Sequence, residues 1–419
     1  MKIKTYNNGL RLVVNKKNDT DTVSFNILVG VGSKDEDENY LGTAHFLEHM
    51  FFKSTKTMSY DEILGKLDEL GVSHNAYTSM IKTCYYFKCL SSVFGETVEL
   101  FSDMFFNNSF NKKEIENEKK VILEEYKMDE DDQTKKAITN AFEDMFCGMP
   151  FGHNIIGTPT SIKTMTLEKL VSFKKKYVPN KVVISVSGKV SFRYVNKLVK
   201  KYFVDRFIYK NDNEILQINC YEDKIKRKFV SKQKDNKQSI VYILYNFGEM
   251  SFKERTILNI YFSILGYGMS SKLFAEIRSK RGLVYDIDAG ATSIGKNMMA
   301  EILFATSNEN VADAIVAVKE MLERCASGEI FEAELIRAKN KFIANLSYGM
   351  ESNSGIANTN GNELLTKGFI RPDIEIEREI KAASLQDVIL MAKKVINNKK
   401  FVVSSVGKCK KLDLKLFNF

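Results

Sequence analysis

The strongest constraint on the fold is an internal repeat that divides the chain into two similar halves. Residues 166–188 and 384–407 each combine a helix-like segment, a short basic turn and an apolar, β-branched run that ends in glycine. The two glycines are 219 positions apart. A weaker similarity relates 83–105 to 299–322. A repeat of this length in a 419-residue chain predicts two homologous domains of about 200 residues each.

The boundary between the halves is predicted at a polar stretch near the middle of the chain. We expect an N-terminal domain at 1–209, a linker at 210–222 and a C-terminal domain at 223–419. Strand-like and helix-like segments are mixed along both halves, which is typical of the α+β class. Each domain is therefore predicted to pack helices on a mostly antiparallel sheet.

Local patterns in the first half predict individual elements. The capping box Ser59–Glu62 precedes an apolar helical pattern that Gly71 ends. Alternating or continuous apolar, β-branched residues predict strands, and amphipathic spacing predicts a further helix. The predicted strands are at 10–14 and 23–30, with two more within 75–90, and the helix is at 93–106.

Composition and charge exclude several classes of protein. The net charge is +9, but only 11 of the 62 basic residues are arginine and the lysines are spread along the chain, which argues against a nucleic-acid-binding surface. We find no run of 18 uncharged apolar residues, so no membrane span is expected. The N-terminus shows no leader pattern, and the six cysteines form no metal or disulfide spacing. We therefore expect a cytoplasmic protein with reduced thiols.

A short histidine–glutamate motif is the clearest chemical signal. Two of the four histidines lie in the pentapeptide from His45 to His49, which has the order His-x-x-Glu-His with Glu48 inside it. On a helix the two imidazoles lie about 40° apart, so both can bind one metal ion with the carboxylate beside them. This is the inverted zinc-peptidase motif, in which the glutamate acts as general base. The alternative is a pair of core histidines, which is unfavourable because buried polar groups need partners.

A third ligand is predicted on a later helix. Glu118 and Glu125 are seven residues apart, so they lie on nearly the same face, which we expect to include Val121 and Ile122. We assign Glu125 as the zinc ligand and Glu118 as a carboxylate that orients a ligand histidine or the metal water. Two alternatives stay open: the helix could be an exposed charged one, or Glu118 could be purely structural.

With these residues in view, the chain resembles the pitrilysin family of zinc metallopeptidases, and within it the bacterial subfamily that is similar to mitochondrial processing peptidase. The similar segments span almost the whole chain, at 42–53, 75–79, 118–128, 151–159, 268–274 and 278–285. The resemblance implies one Zn²⁺ per chain, bound by His45, His49 and Glu125, with Glu48 as the base.

The resemblance also implies a substrate site and a partner. Arg278 and Tyr285 of the second half would bind the substrate backbone and help to stabilise the tetrahedral intermediate. Asn75, Ala76 and Tyr77 would lie on an edge strand that receives the peptide. One chain would form half of a clamshell, so a homodimer with two sites is expected, or a heterodimer with a related chain.

Three functions follow as hypotheses. The first is a zinc endopeptidase for short or unfolded peptides. The second is a protease dedicated to one leader or pheromone peptide that needs a partner subunit. The third is a non-catalytic structural subunit of the kind found in respiratory complexes, which the intact ligand set disfavours.

Overall fold

The computed structural model describes residues 1–207, 227–232 and 237–408, with the backbone alone given for 227–232. The predicted linker at 210–222 lies outside the described residues. None of the helices in the described part of the chain combines the length and the apolar character that crossing a bilayer requires.

The first half folds into six strands and eight helices within the described residues. The strands are β1 (Lys2–Thr5), β2 (Arg11–Lys16), β3 (Thr22–Val29), β4 (Ser73–Thr78), β5 (Thr83–Leu90) and β6 (Val182–Gly188). The helices are α1 (Thr43–Phe51), α2 (Tyr60–Glu69), α3 (Phe94–Phe106), α4 (Lys112–Asp131), α5 (Gln133–Met145), α6 (Pro159–Lys163), α7 (Leu167–Lys174) and α8 (Phe192–Tyr202). The strands and the α3 helix predicted from the sequence are confirmed.

The second half repeats this arrangement. Its described strands are β7 (Arg227–Lys232), β8 (Gln238–Glu249), β9 (Asp286–Ile294), β10 (Asn297–Ser307) and β11 (Phe401–Val406). Its helices are α9 (Phe252–Gly266), α10 (Val311–Ala326), α11 (Glu332–Gly349), α12 (Asn353–Lys367), α13 (Asp373–Ala382) and α14 (Leu385–Ile396). A π-helical segment spans Phe274–Lys280.

The two sheets share one topology, which confirms the predicted repeat. The first sheet has the order β1-β2-β6-β3-β5-β4 and the second β7-β11-β8-β10-β9, so five strands correspond one to one. All neighbours are antiparallel except the pairs β2–β6 and β11–β7. The repeat glycines, Gly188 and Gly407, lie at the C-terminal ends of the corresponding strands β6 and β11. A Cβ on Gly188 would lie 2.2 Å from the Thr22 carbonyl oxygen, and one on Gly407 would lie 2.1 Å from the Ser239 hydroxyl oxygen.

The capping box before α2 forms as predicted. Ser59 Oγ accepts a hydrogen bond from the Glu62 amide, and the Glu62 carboxylate accepts one from the Ser59 amide. The helix ends before Gly71, whose φ of 60° is in the left-handed region.

Each compact unit contains one helix from the other half of the sequence. Within the described residues, the first unit comprises Met1–Tyr126, 153–207 and Ser347–Arg371. The second comprises Lys127–Gly152, 227–232, 237–346 and 372–408. Helix α12 therefore packs on β2, β3 and β6 of the first sheet, and α5 packs on β8 and β11 of the second. In the first unit the main core lies on the opposite sheet face, under α1, α3, α7 and α8.

Candidate metal and catalytic site

Helix α1 is anchored at its N-terminus by a buried carboxylate. Gly42 has φ 83°, and a Cβ there would lie 2.5 Å from the Ile156 carbonyl oxygen, so glycine is needed at this close approach. Glu36, only 8% exposed, accepts hydrogen bonds from the amides of Gly42 (2.8 Å) and Ala44 (2.7 Å). Burial raises the pKa of Glu36 to about 8, and the two amides oppose this shift. These contacts fix the start of α1 and therefore the direction of its histidines.

The predicted metal ligands meet in one cluster. His45 and His49, one turn apart on α1, have ring centroids 4.6 Å apart. Glu125 Oε2 on α4 lies 3.8 Å from His45 Nε2 and 3.4 Å from His49 Nε2. One donor atom from each residue lies within 4.8 Å of the other two. Two imidazoles and one carboxylate form a donor set that suits zinc, since ligands about 2.0–2.2 Å from a common ion lie about this close together.

Glu118 supports His49 from behind. Its Oε1 lies 2.7 Å from His49 Nδ1, and its Oε2 accepts a hydrogen bond from Lys53 Nζ at 2.7 Å. Glu118 is 4% exposed. Burial opposes its ionisation, but the bonds from His49 and Lys53 prevail and hold the pKa of Glu118 below its usual value. The carboxylate thereby leaves His49 Nε2 to face the cluster.

His49 itself is strongly influenced by the surrounding carboxylates. Burial alone would lower its pKa, but the hydrogen bonds to Glu118 and Glu125 raise the pKa of His49 to about 9. A metal ligand must present an unprotonated nitrogen, so a bound cation would displace this proton.

Glu48 lies beside the cluster on the same helix. Its Oε2 accepts a hydrogen bond from Thr78 Oγ1 at 2.7 Å, and Thr78 is the last residue of β4. Burial raises the pKa of Glu48, and the Thr78 bond opposes this shift. The carboxylate thus stands between the two histidines in sequence and against the edge strand in space.

The strand predicted to receive the peptide is an edge strand. Among the described strands, β4 pairs only with β5, so its other side is open. Ala76 packs towards the core beneath α1, whereas Tyr77 packs on the opposite face near α12. There the Tyr77 hydroxyl donates to Asn358 Oδ1 at 3.3 Å. Asn75 Oδ1 accepts a hydrogen bond from the Ala76 amide at 2.8 Å.

The Arg278 and Tyr285 side chains lie together in the second unit. Arg278 is in the π-helical segment, and its guanidinium is 4.5 Å from the Phe274 ring centroid and 6.0 Å from that of Tyr285. Its Nη1 lies 3.6 Å from Asp286 Oδ1. Tyr285 is 71% exposed. An exposed tyrosine hydroxyl and a nearby guanidinium can both donate hydrogen bonds to the carbonyl oxygens of a peptide.

One detail of the predicted α4 face is wrong. Val121 was expected on the face of the two glutamates, but it is 52% exposed, whereas Ile122 is 1% exposed. Ile115, Glu118 and Ile122 define the buried stripe, and Val121 lies about 100° from Ile122, outside it.

Three residues near the cluster were missed in the sequence. They are Lys53, which bonds Glu118, Thr78, which bonds Glu48, and Glu36, which anchors α1. Lys53 lies four residues after His49, so its spacing was a usable signal. Thr78 and Glu36 gave no such signal, because their partners are distant in sequence or are backbone groups.

Comparison with known proteins identifies the family. The profile described as "Insulinase (Peptidase family M16)" matches residues 11–159. The profile described as "Peptidase M16 inactive domain" matches residues 164–342. This chain belongs to peptidase family M16. The predicted family membership is therefore confirmed, and the M16 assignment covers both halves of the chain.

Relatives match along nearly the full length. An uncharacterised zinc protease of Mycobacterium leprae is 30% identical over 393 residues, covering 93% of this chain and 88% of the relative. An uncharacterised zinc protease of Bacillus subtilis is 29% identical over 392 residues, covering 93% of this chain and 94% of the relative. The crystal structure of a protease from Helicobacter pylori aligns with a TM-score of 0.89 at 22% identity, over 97% of this chain and 99% of that one. This structural match confirms the predicted two-domain α+β fold.

Proposed function

We propose that this M16 protein is a zinc-dependent endopeptidase that hydrolyses short or unfolded peptides. The observation that carries the proposal is the cluster of His45, His49 and Glu125, with Glu48 beside it and an open edge strand next to Glu48. The names of the relatives support the same chemistry, since they are called zinc proteases.

We assign His45, His49 and Glu125 as the ligands of one zinc ion per chain. Zinc held there would polarise the scissile carbonyl and lower the pKa of a water molecule. Glu48 would accept the proton of the attacking water at its carboxylate and return it to the nitrogen of the leaving amine. Glu118 would hold the tautomer and the ring orientation of His49 through Nδ1.

The peptide would add to β4 as an extended strand, held by backbone groups near Asn75, Ala76 and Tyr77. This mode of binding favours unfolded segments, because a folded protein cannot offer a free strand. Arg278 and Tyr285 of the second half would fix carbonyl groups of the substrate.

We propose a homodimer in which the zinc half of one molecule faces the Arg278 half of its partner. The predicted domains at 1–209 and 223–419 would thus have different roles, one for zinc chemistry and one for binding the substrate. A heterodimer with a related chain stays an alternative, and the similarity to mitochondrial processing peptidase and the cytoplasmic location stay predictions.

The test compares purified wild type with the Glu48→Gln variant. We expect about one zinc per chain in both proteins, and cleavage of a quenched 15–20-residue peptide by wild type alone, with a loss of about 10³-fold or more in the variant. Glu124→Gln is the matched control, because Glu124 is an exposed glutamate on α4 next to Glu125. It is expected to keep both zinc and activity.

Other outcomes discriminate between the hypotheses. Wild type that binds zinc but cleaves no peptide in a broad panel would favour the dedicated protease with a partner subunit. Wild type that binds no zinc would overturn the proposal and favour a structural subunit.

A further inference from the structure

We propose that Thr78 is a positioning residue that holds the carboxylate of Glu48, so that the strand that receives the peptide also orients the base. This inference rests on the proposed function and goes beyond it, because it assigns a role to a residue outside the ligand set. It predicts a defect in turnover and none in zinc binding.

The contact itself is short and sheltered. Thr78 Oγ1 donates to Glu48 Oε2 at 2.7 Å, and both side chains are only partly exposed. A hydroxyl that donates to an ionised carboxylate forms a stronger bond than a neutral pair does. One oxygen of Glu48 is thus occupied, and the other is left to accept a proton from water.

Thr78 is held in place independently of Glu48. The turn that follows it closes through a hydrogen bond from the Ser79 amide to the Lys82 carbonyl at 2.8 Å. A second segment of the chain also holds this turn: the amides of Ser33 and Lys34 donate hydrogen bonds to the carbonyls of Ser79 and Met80.

Gly32 shows how closely the 32–34 segment packs against the turn. A Cβ on Gly32 would lie 2.3 Å from the Ser79 carbonyl oxygen and 2.7 Å from that of Met80. The backbone of residue 78 is therefore fixed by its neighbours, and the hydroxyl offers Glu48 a stationary donor.

The same strand fixes the substrate. Thr78 is the C-terminal residue of β4, whose outer edge is open among the described strands. The backbone of β4 would fix the position of a peptide that pairs with this edge. The Thr78 side chain of the same strand fixes the position of the Glu48 carboxylate. The position of the peptide bond and the orientation of the Glu48 carboxylate are then both set by β4, and such fixed positioning favours efficient proton transfer.

The test uses two variants of Thr78 with opposite expectations. Thr78→Val keeps the β-branched shape but removes the donor, so the Glu48 carboxylate can rotate. We expect kcat to fall by about 10- to 100-fold while KM changes by less than about twofold. Thr78→Ser keeps a donor and is expected to restore kcat to within about threefold of wild type.

Two further measurements separate positioning from a structural defect. Zinc content is expected to stay near that of wild type in both variants. The Kd of the peptide, measured in the inactive Glu48→Gln background, is expected to be the same with Thr78 and with Val at position 78. Ser79→Ala is the matched control, since the Ser79 hydroxyl bonds the Lys82 backbone within the turn and, among the described residues, does not contact Glu48; its kcat is expected to be unchanged.

The outcomes distinguish this inference from the proposed function. Active wild type with an equally active Thr78→Val variant would overturn the role of Thr78 and leave the peptidase intact. A rise in KM with unchanged kcat would also overturn it, because Thr78 would then bind substrate rather than orient Glu48. Wild type without zinc or cleavage would overturn the proposed function itself.

Discussion

The two halves of the chain build the same sheet but fill the space beside its edge strand differently. In the first half, α1 lies between β3 and β4 in the chain and brings His45, Glu48 and His49 to the edge. In the second half, α9 lies between β8 and β9 and is lined by buried apolar and aromatic residues. Its last residue, Gly266, approaches β9 so closely that a Cβ would lie 2.2 Å from the Ala289 amide nitrogen.

This difference shows how a duplicated fold can separate stability from chemistry. A helix that carries imidazoles and a carboxylate towards a core needs polar partners for them. In the first half Glu118 bonds His49, Thr78 bonds Glu48, and Lys53 in turn bonds Glu118. The second half avoids that requirement through direct helix–strand packing. All four histidines of the chain lie in the first half. We therefore expect metal binding to depend on the first half alone.

The largest expected effect is at the ligands. His49→Ala should abolish both zinc binding and cleavage, because two ligands cannot form the site. His74→Ala is the matched control, since His74 lies on β4 with its ring 5.1 Å from that of Phe52 rather than in the cluster. Zinc analysis of both proteins is the measurement. Full zinc content in His49→Ala would break the assignment of chemistry to the first half.

The support of His49 should give the next largest effect. Glu118→Gln is expected to weaken zinc affinity by about 10- to 100-fold. The neutral amide cannot orient the His49 ring and raise the basicity of its Nε2 as the carboxylate does. Competition with a chromophoric chelator measures the affinity. Glu116→Gln, at an exposed position on the same helix, should leave it unchanged. Equal affinities in Glu118→Gln and wild type would make Glu118 purely structural.

The second half should affect the substrate without affecting the metal. Arg278→Lys is expected to lower kcat/KM by about 10-fold, because a lysine loses the planar donor set and the stacking on Phe274. Zinc content should stay that of wild type. Arg281→Lys, whose side chain pairs with Glu320 and Glu276, is the control and should retain activity. A loss of zinc in Arg278→Lys would contradict the division of roles.

The packing difference predicts the smallest effects, on stability. Gly266→Ala should lower the free energy of unfolding by about 1–3 kcal/mol, because a methyl group meets the backbone of β9. Gly65→Ala, in the exposed part of α2 with no atom within 4 Å of its Cβ, should raise it by about 0.5–1 kcal/mol. Thermal unfolding of both variants measures the contrast. A Gly266→Ala protein with the same free energy of unfolding as wild type would contradict the close packing of α9 on β9.

The sequence predicted most of this arrangement because the signals are local or repeated. The glycine-terminated units predicted two homologous domains, and His45, Glu48 and His49 fall within one turn and a half of helix. Glu125 was found through its spacing from Glu118. The sequence did not predict that α5 and α12 pack on the sheet formed by the other half of the sequence, because amphipathic periodicity shows that a helix is buried but not against which sheet.

Contacts between residues that are distant in the chain also could not be predicted from the sequence. The Thr78–Glu48 bond joins a strand to a helix 30 positions away, and no periodic pattern links the two. The exposure of Val121 was missed for a related reason, since two glutamates seven apart fix the direction of a helix face only to within about one residue.

We expect above all that one metal ion binds at the first half through His45, His49 and Glu125. Anomalous diffraction at the zinc absorption edge, on crystals of the wild-type protein, tests it most directly. We predict one anomalous peak per chain, within about 2.0–2.2 Å of one atom from each of the three side chains. No peak, or a peak at other residues, would contradict the account.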